Sequence, residues 1–237
     1  MKHVPILLFT AFCLIPLLPA AQSLTTGEWL PQLSYSNSLN NRFSGNLNTF
    51  MEIQNLEKTP GSQATYGFSP QTFNIQAGLA YQWTTALNLS LAYQFGWRSL
   101  DEAERDVEHR LMQQITGTYS FGKYRLRSRL RAEQRFFRQN GYAPPVHRWR
   151  LRPSIDFPLQ GERLDLGEAY LNTQWEVLAN IFEPRGLHLA EQRLYSGIGW
   201  LLSRHFRLET GLEYRSRPTD ASGFRRRAFL RMAATLR

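Results

Sequence analysis

The densest chemistry in this sequence lies between residues 108 and 156. Arg125, Arg127, Arg129, Arg131, Glu133 and Arg135 recur at every second position, and Arg148, Arg150, Arg152 and Asp156 repeat the spacing further on. Glu108 and Arg110 precede them, and Glu176, Glu191 and Arg193 follow. A guanidinium is a rigid fork of donors that keeps its charge when crowded and matches a carboxylate in bidentate fashion. A spacing of two puts such side chains on one face of an extended strand. Adjacent strands carrying arginine on one face repel one another unless carboxylates answer them. Glu108, Glu133, Asp156, Glu176, Glu191, Glu209 and Glu213 are the candidate partners. Two uses follow: an ion-pair network that fills and stiffens an enclosed space, or a cationic lining that attracts anions.

The elements that must hold these side chains are strands. Between the arginines stand Leu126, Ser128, Leu130, Ala132 and Phe136, then Trp149, Leu151, Ile155 and Phe157. The same alternation appears without charge in Phe73, Ile75, Ala77, Leu79, Tyr81 and Trp83, interleaved with Asn74, Gln76, Gly78, Ala80 and Gln82. After Thr84-Thr85-Ala86 it returns in Leu87, Leu89, Leu91, Tyr93, Phe95 and Trp97. A soluble sandwich also alternates, but its polar face is solvated and carries lysine and acid freely. Here three of the 28 basic residues are lysine and the rest arginine. Strand-like segments of about 10–14 residues suit tilted membrane strands better than globular sheets. Trp29, Trp83, Trp97, Trp149, Trp200 and Tyr214 sit near segment ends, as interfacial girdles require. A mean hydropathy of -0.42 is compatible with this, since a barrel strand shows lipid only every second residue.

The pattern predicts an all-β fold: a transmembrane, antiparallel, up-and-down β-barrel forming a single domain over 23–237. Eleven segments can be read, at about 27–38, 42–54, 71–83, 86–98, 106–121, 124–137, 146–159, 167–180, 190–203, 206–217 and 224–236. Bacterial single-chain barrels have even strand numbers, so the expectation is ten or twelve strands, with twelve favoured. Short links at Leu39-Asn40-Asn41, Thr84-Thr85, Gly122-Lys123 and Arg204-His205 alternate with longer polar ones, as in a barrel with tight turns at one end.

Residues 1–22 have the layout of a secretory signal: Met1-Lys2-His3, an apolar run from Val4 to Leu18, then Pro19-Ala20-Ala21. Cleavage near Ala21 or Gln22 would remove Cys13, the single cysteine, leaving neither disulfide nor thiolate site. Export makes nucleic acid an improbable partner for a chain of net charge +9. The expected location is the bacterial outer membrane. The expected partners are outer-membrane lipid, the barrel-insertion machinery and small anionic solutes.

The stretch from Glu108-His109-Arg110 through the 125–136 ladder to Trp149-Arg150-Leu151-Arg152-Pro153 resembles the bacterial domain-of-unknown-function family 2490. So does Glu176 with Asn180, followed by Glu191-Gln192-Arg193-Leu194-Tyr195-Ser196-Gly197-Ile198-Gly199. The resemblance runs from about Trp29 to the end, and it implies an exported outer-membrane barrel with no assigned activity.

The alternative is a lipid-active outer-membrane enzyme, phospholipase- or acyltransferase-like, which needs a serine and a histidine within hydrogen-bond reach. His109 and Ser128 share the apolar face of neighbouring segments. With the turn at Gly122, however, Ser128 faces about residue 116, leaving His109 ~23 Å away at ~3.3 Å per residue. No spaced His, Asp and Glu set reads as a metal site, and no cofactor is expected.

Overall fold

The computed structural model describes residues 23–237 apart from 60, 102–105, 140, 143, 163, 183–185 and 220–222. The expected signal segment lies outside the described residues. Strands follow one another as β1 (Ser23–Ser38), β2 (Phe43–Lys58), β3 (Thr65–Gln82), β4 (Leu87–Arg98), β5 (Asp106–Phe121) and β6 (Tyr124–Gln139). Then come β7 (Gly141–Tyr142), β8 (Val146–Pro158), β9 (Ala169–Phe182), β10 (Gly186–Leu201), β11 (Phe206–Pro218) and β12 (Phe224–Leu236).

Each long strand pairs antiparallel with its neighbour in sequence, and β1 meets β12 in parallel, so the sheet closes on itself. β7 is two residues that pair only with the end of β6, outside the ring. Among the described residues, then, eleven strands make the wall, which corrects the expectation of ten or twelve. The even-number rule assumes an antiparallel seam. An odd ring must close with one parallel pair, and the register from Ser23↔Phe224 to Tyr35↔Leu236 supplies it. The eleven segments read from the alternation correspond to the eleven long strands; discarding or adding one was the error.

The tight links 39–42, 83–86, 122–123 and 202–205 gather at one end of the barrel. Local chemistry fixes them. Asn40 Oδ1 accepts the N–H groups of Arg42 and Phe43 at 2.9 and 2.8 Å, and Thr84 Oγ1 accepts those of Ala86 and Leu87. Gly122 takes a positive φ of 54° in the two-residue turn before Lys123. The link 159–168 is longer yet lies at this same end, a departure from simple alternation. It is bound into the wall where Gly167 N–H donates to Leu201 O at 2.7 Å and Leu201 N–H to Glu168 O at 3.1 Å. Register shifts in β1, β2 and β10 fall toward the opposite end, where bulges bend the wall.

The polarity of the wall is the reverse of a water-soluble core. Leu79, Leu91 and Leu212 point outward and are 56, 59 and 70 % exposed. Glu133, Glu176 and Arg150 point inward and are 1, 4 and 8 % exposed. Aromatic rings cluster on the outer face near both ends. Phe43 packs on Tyr81 at 5.0 Å and Tyr124 on Phe157 at 5.4 Å near the tight turns. Phe73, Phe95 and Trp97 pack together near the other end.

Candidate functional site

The inner face of β5, β6, β8, β9 and β10 brings most of the sequence ladder into one connected network. Glu108 accepts from Arg135 Nε at 2.6 Å and from Arg110 Nη2 at 2.8 Å. Arg110 also reaches Glu133 at 3.5 Å, and Arg131 lies 3.6 Å from the same carboxylate. Arg150 bridges Glu133 at 2.9 Å and Glu176 at 2.7 Å. Glu176 in turn accepts from Arg129 at 2.5 Å and faces Arg193, whose Nε donates to Glu191 at 2.5 Å. Arg127 Nη2 donates to both oxygens of Asp156, at 3.0 and 3.1 Å. Single carboxylates thus hold two or three guanidinium groups, which lets side chains two strands apart lock together.

A second network spans the seam; of its members, the sequence pattern singles out only Glu209 and Glu213. Arg227 donates to both Glu28 and Glu52, and Arg215 to Glu52 and Glu213 at 2.5 Å each. Arg231 lies 3.6 Å from Glu213 and 4.0 Å from Glu209. The Arg215–Glu52 contact joins β11 to β2 over β12 and β1, clamping the parallel seam from inside. The Phe229 ring separates the cations here, with Arg215 at 3.9 Å and Arg227 at 4.8 Å from its centroid. The signal was present: Glu28 sits at strand parity with Thr26 and Leu30, and Arg225, Arg227 and Arg231 alternate through β12. Glu28 and Glu52 stand far in sequence from the arginines they meet, so spacing alone does not pair them.

Every one of the inward carboxylates Glu28, Glu52, Glu108, Glu133, Asp156, Glu176, Glu191, Glu209 and Glu213 has at least one arginine at ion-pair distance. The arginines are not all answered. Among the described residues, Arg148 finds only the Asn180 amide oxygen, at 2.7 Å. Arg125, Arg152 and Arg207 make no ion pair with any carboxylate of the described residues, although Arg152 stands directly across from Arg129. The lumen therefore keeps a positive surplus.

The wall is asymmetric. Opposite the arginines, the tight-turn halves of β2 to β5 present small and amide side chains, and a cavity of about 210 Å³ lies among Asn46, Asn48, Gln76, Ser90, Gln114 and Arg131. Arg131 closes its charged side by donating twice to Gln114 Oε1, at 2.7 and 2.9 Å. Eight strands make a barrel just wide enough for side chains to fill, whereas sixteen or more leave an aqueous channel. Eleven lined by arginine on one side and amides on the other leave a narrow, polar interior. Glycines on β10 and β11 shape the remaining wall. A Cβ at Gly199 would overlap the Tyr170 ring, and one at Gly197 the Tyr195 ring, so both tyrosines lie flat across glycine backbone.

On the outer face, Ser128 pairs in register with Gly117 and His109 with Phe136, so the two are separated by about eight residues, or ~26 Å. His109 Nδ1 instead meets Tyr93 Oη at 2.5 Å within the aromatic girdle. Ser196 lies 3.3 Å from Thr173 Oγ1 and opposite Leu212. Among the described residues, no group of His, Cys, Asp and Glu is arranged to hold a metal ion.

A closed β-barrel with apolar residues outside and an Arg–carboxylate lattice inside is the class that fold and site define. The profile of the family described as "Protein of unknown function (DUF2490)" matches residues 29–225, and the chain belongs to that family. None of the curated proteins matches it. Among solved structures, the siderophore receptor PirA from Pseudomonas aeruginosa superposes with a TM-score of 0.33 at 15% identity. That match covers 78% of this chain and 37% of the receptor's length.

Proposed function

We propose that this protein is an outer-membrane barrel whose charged lumen makes it a narrow, anion-biased passage rather than a general pore. The observation that carries this is the lumen's charge inventory. Among the described residues, nine inward carboxylates, from Glu28 to Glu213, are each held by arginine, while Arg125, Arg152 and Arg207 make no ion pair. The outward leucines and the aromatic girdles support membrane insertion, since a charged side chain facing lipid at mid-depth costs ~2–4 kcal/mol. The basic, apolar and small-residue sequence of 1–22 supports export, with the insertion machinery and outer-membrane lipid as the partners this route requires.

The experiment is planar-bilayer conductance of the purified protein. The expected result is small unitary conductance with reversal potentials favouring anions, weakened in Arg127→Gln/Arg150→Gln. Absence of conductance, or cation preference, would overturn the passage. The reading contains no catalytic step; fatty acid released from lipid vesicles, and lost on replacing one serine or histidine, would overturn that part.

A further inference from the structure

The surplus arginines are not spread evenly. Arg125 is the second residue of β6, directly after the tight turn at 122–123, and Arg127 follows on the same inner face. Arg207 is the second residue of β11, directly after the turn at 202–205. All three stand at the tight-turn mouth of the lumen. β6 and β11 are four places apart around the ring, yet Arg125 lies in the electrostatic field of both Arg127 and Arg207. The contacts bring the two sides together: Arg207 reaches across β10 to the Tyr170 ring on β9, and Arg127 holds Asp156 on the adjacent β8. Arg237 joins them, its backbone N–H fixed to His205 O at 2.9 Å.

The only inward carboxylate that faces Arg125 in register is Asp156, and its oxygens are already taken. Arg127 holds both, and the Asn172 amide donates to Oδ1. Arg207 stacks its guanidinium 5.4 Å from the Tyr170 centroid. Tyr170 itself donates to Glu209 at 2.9 Å, so the nearby acid is engaged as well. Stacking occupies the face of a guanidinium and leaves its in-plane N–H groups free. The Nε atoms of Arg127 and Arg207 are buried without a hydrogen-bond partner among the described residues. Unmade bonds at buried donors are costly, and like charges gathered at one mouth repel.

Resting on the anion-biased reading of the lumen, we propose that Arg125, Arg127 and Arg207 form a binding site for a phosphate-type oxyanion at the tight-turn mouth. A tetrahedral oxyanion of charge one to two offers several acceptors to in-plane guanidinium donors, which a spherical halide does not. The inward aim of the three side chains selects a free solute phosphate over the phosphate of a lipid headgroup.

The test uses the purified full-length barrel in detergent, with inorganic phosphate as the probe at constant ionic strength set by chloride. Calorimetry is expected to show saturable phosphate binding. In Arg125→Gln/Arg207→Gln it should weaken on the order of ten- to a hundredfold, the loss of one or two charge-assisted bonds. Arg225→Gln, at the opposite mouth near Glu28 and Glu57, should bind like the parent. Arg125→Lys/Arg207→Lys keeps charge without the fork and should lie between. An unshifted thermal midpoint in each variant shows that the barrel is folded. Micellar phosphate-bearing lipid should not compete.

Phosphate binding no tighter than chloride, or unchanged by the double glutamine variant, would overturn the site. So would competition by lipid. Saturable binding by a barrel that conducts nothing would leave the site standing and sink the passage. Anion-selective conductance with no phosphate preference would do the opposite.

Discussion

Glu176→Gln is expected to destabilise the barrel more than any other isosteric change in the lumen. Its carboxylate is 5% exposed and accepts from Arg129 at 2.5 Å and Arg150 at 2.7 Å, with Arg193 at 3.9 Å. Removing one partner of a buried ion pair typically costs ~3–5 kcal/mol, because the remaining charge stays buried. Glutamine keeps one carbonyl acceptor, so part of the Arg129 and Arg150 bonding survives and the loss falls near the low end, about 3 kcal/mol. For a chain of this size that corresponds to a midpoint lowered by roughly 6–12 °C. The assay is thermal unfolding in detergent, followed by far-ultraviolet dichroism and by the gel shift between folded and heated barrel. Adding Arg129→Gln should restore part of the stability, because the surplus cation is then gone, so the two changes are less than additive. A midpoint within about 2 °C of the parent would refute the reasoning, and so would simple additivity: Glu176 would then not be the shared hub.

Four further outcomes follow. Glu52→Gln loosens the clamp from β2 to β11 and β12, so unfolding in denaturant should accelerate; an unchanged unfolding rate would show that the seam holds without it. Gly211→Val places a branched side chain against the Gly197 backbone and Ser196 O, and should abolish the heat-modifiable folded band, whereas Gly45→Ala, with open space around its Cβ, should not. Leu212→Arg puts a cation on the most exposed leucine of the outer belt, at a cost of ~2–4 kcal/mol if that position lies at mid-bilayer; equal stability in vesicles would contradict a lipid-facing β11. Asp101, in the link after β4, has its carboxyl held below the usual range by the Ser69 hydroxyl at 2.7 Å, with the Gln71 amide at 2.9 Å adding to it. Because its folded value is depressed, the tether is present above the ordinary carboxylate range and lost as pH falls through the lowered one. A nuclear magnetic resonance titration of Asp101 reads this directly, and an ordinary midpoint would contradict it.

Much of the wall was legible in the sequence because parity survives along a strand. Once Leu126, Leu130 and Phe136 are read as one face, Arg127, Arg131 and Arg135 must share the other. What parity does not encode is closure. Whether β1 meets β12 parallel or antiparallel depends on strand number, and a general rule of evenness overrode a correct segmentation. Nor does parity say which carboxylate answers which arginine. Arg129 faces Arg152 in register, yet its partner is Glu176 two strands away. Such pairings depend on strand tilt and side-chain reach. Glu28 and Glu52, acids in strands without arginine, meet their partners only because the ring closes around them.

The central claim is that this barrel is inside-out, with apolar side chains in lipid and arginines in the lumen. Single cysteines placed in turn from Leu126 to Arg131 of β6, in protein reconstituted in vesicles, test it most directly. Each is probed with a lipid-soluble and a water-soluble collision reagent. The account predicts a two-residue alternation: positions 126, 128 and 130 respond to the lipid-soluble reagent, and 127, 129 and 131 do not. Equal access of both faces to the water-soluble reagent would contradict it.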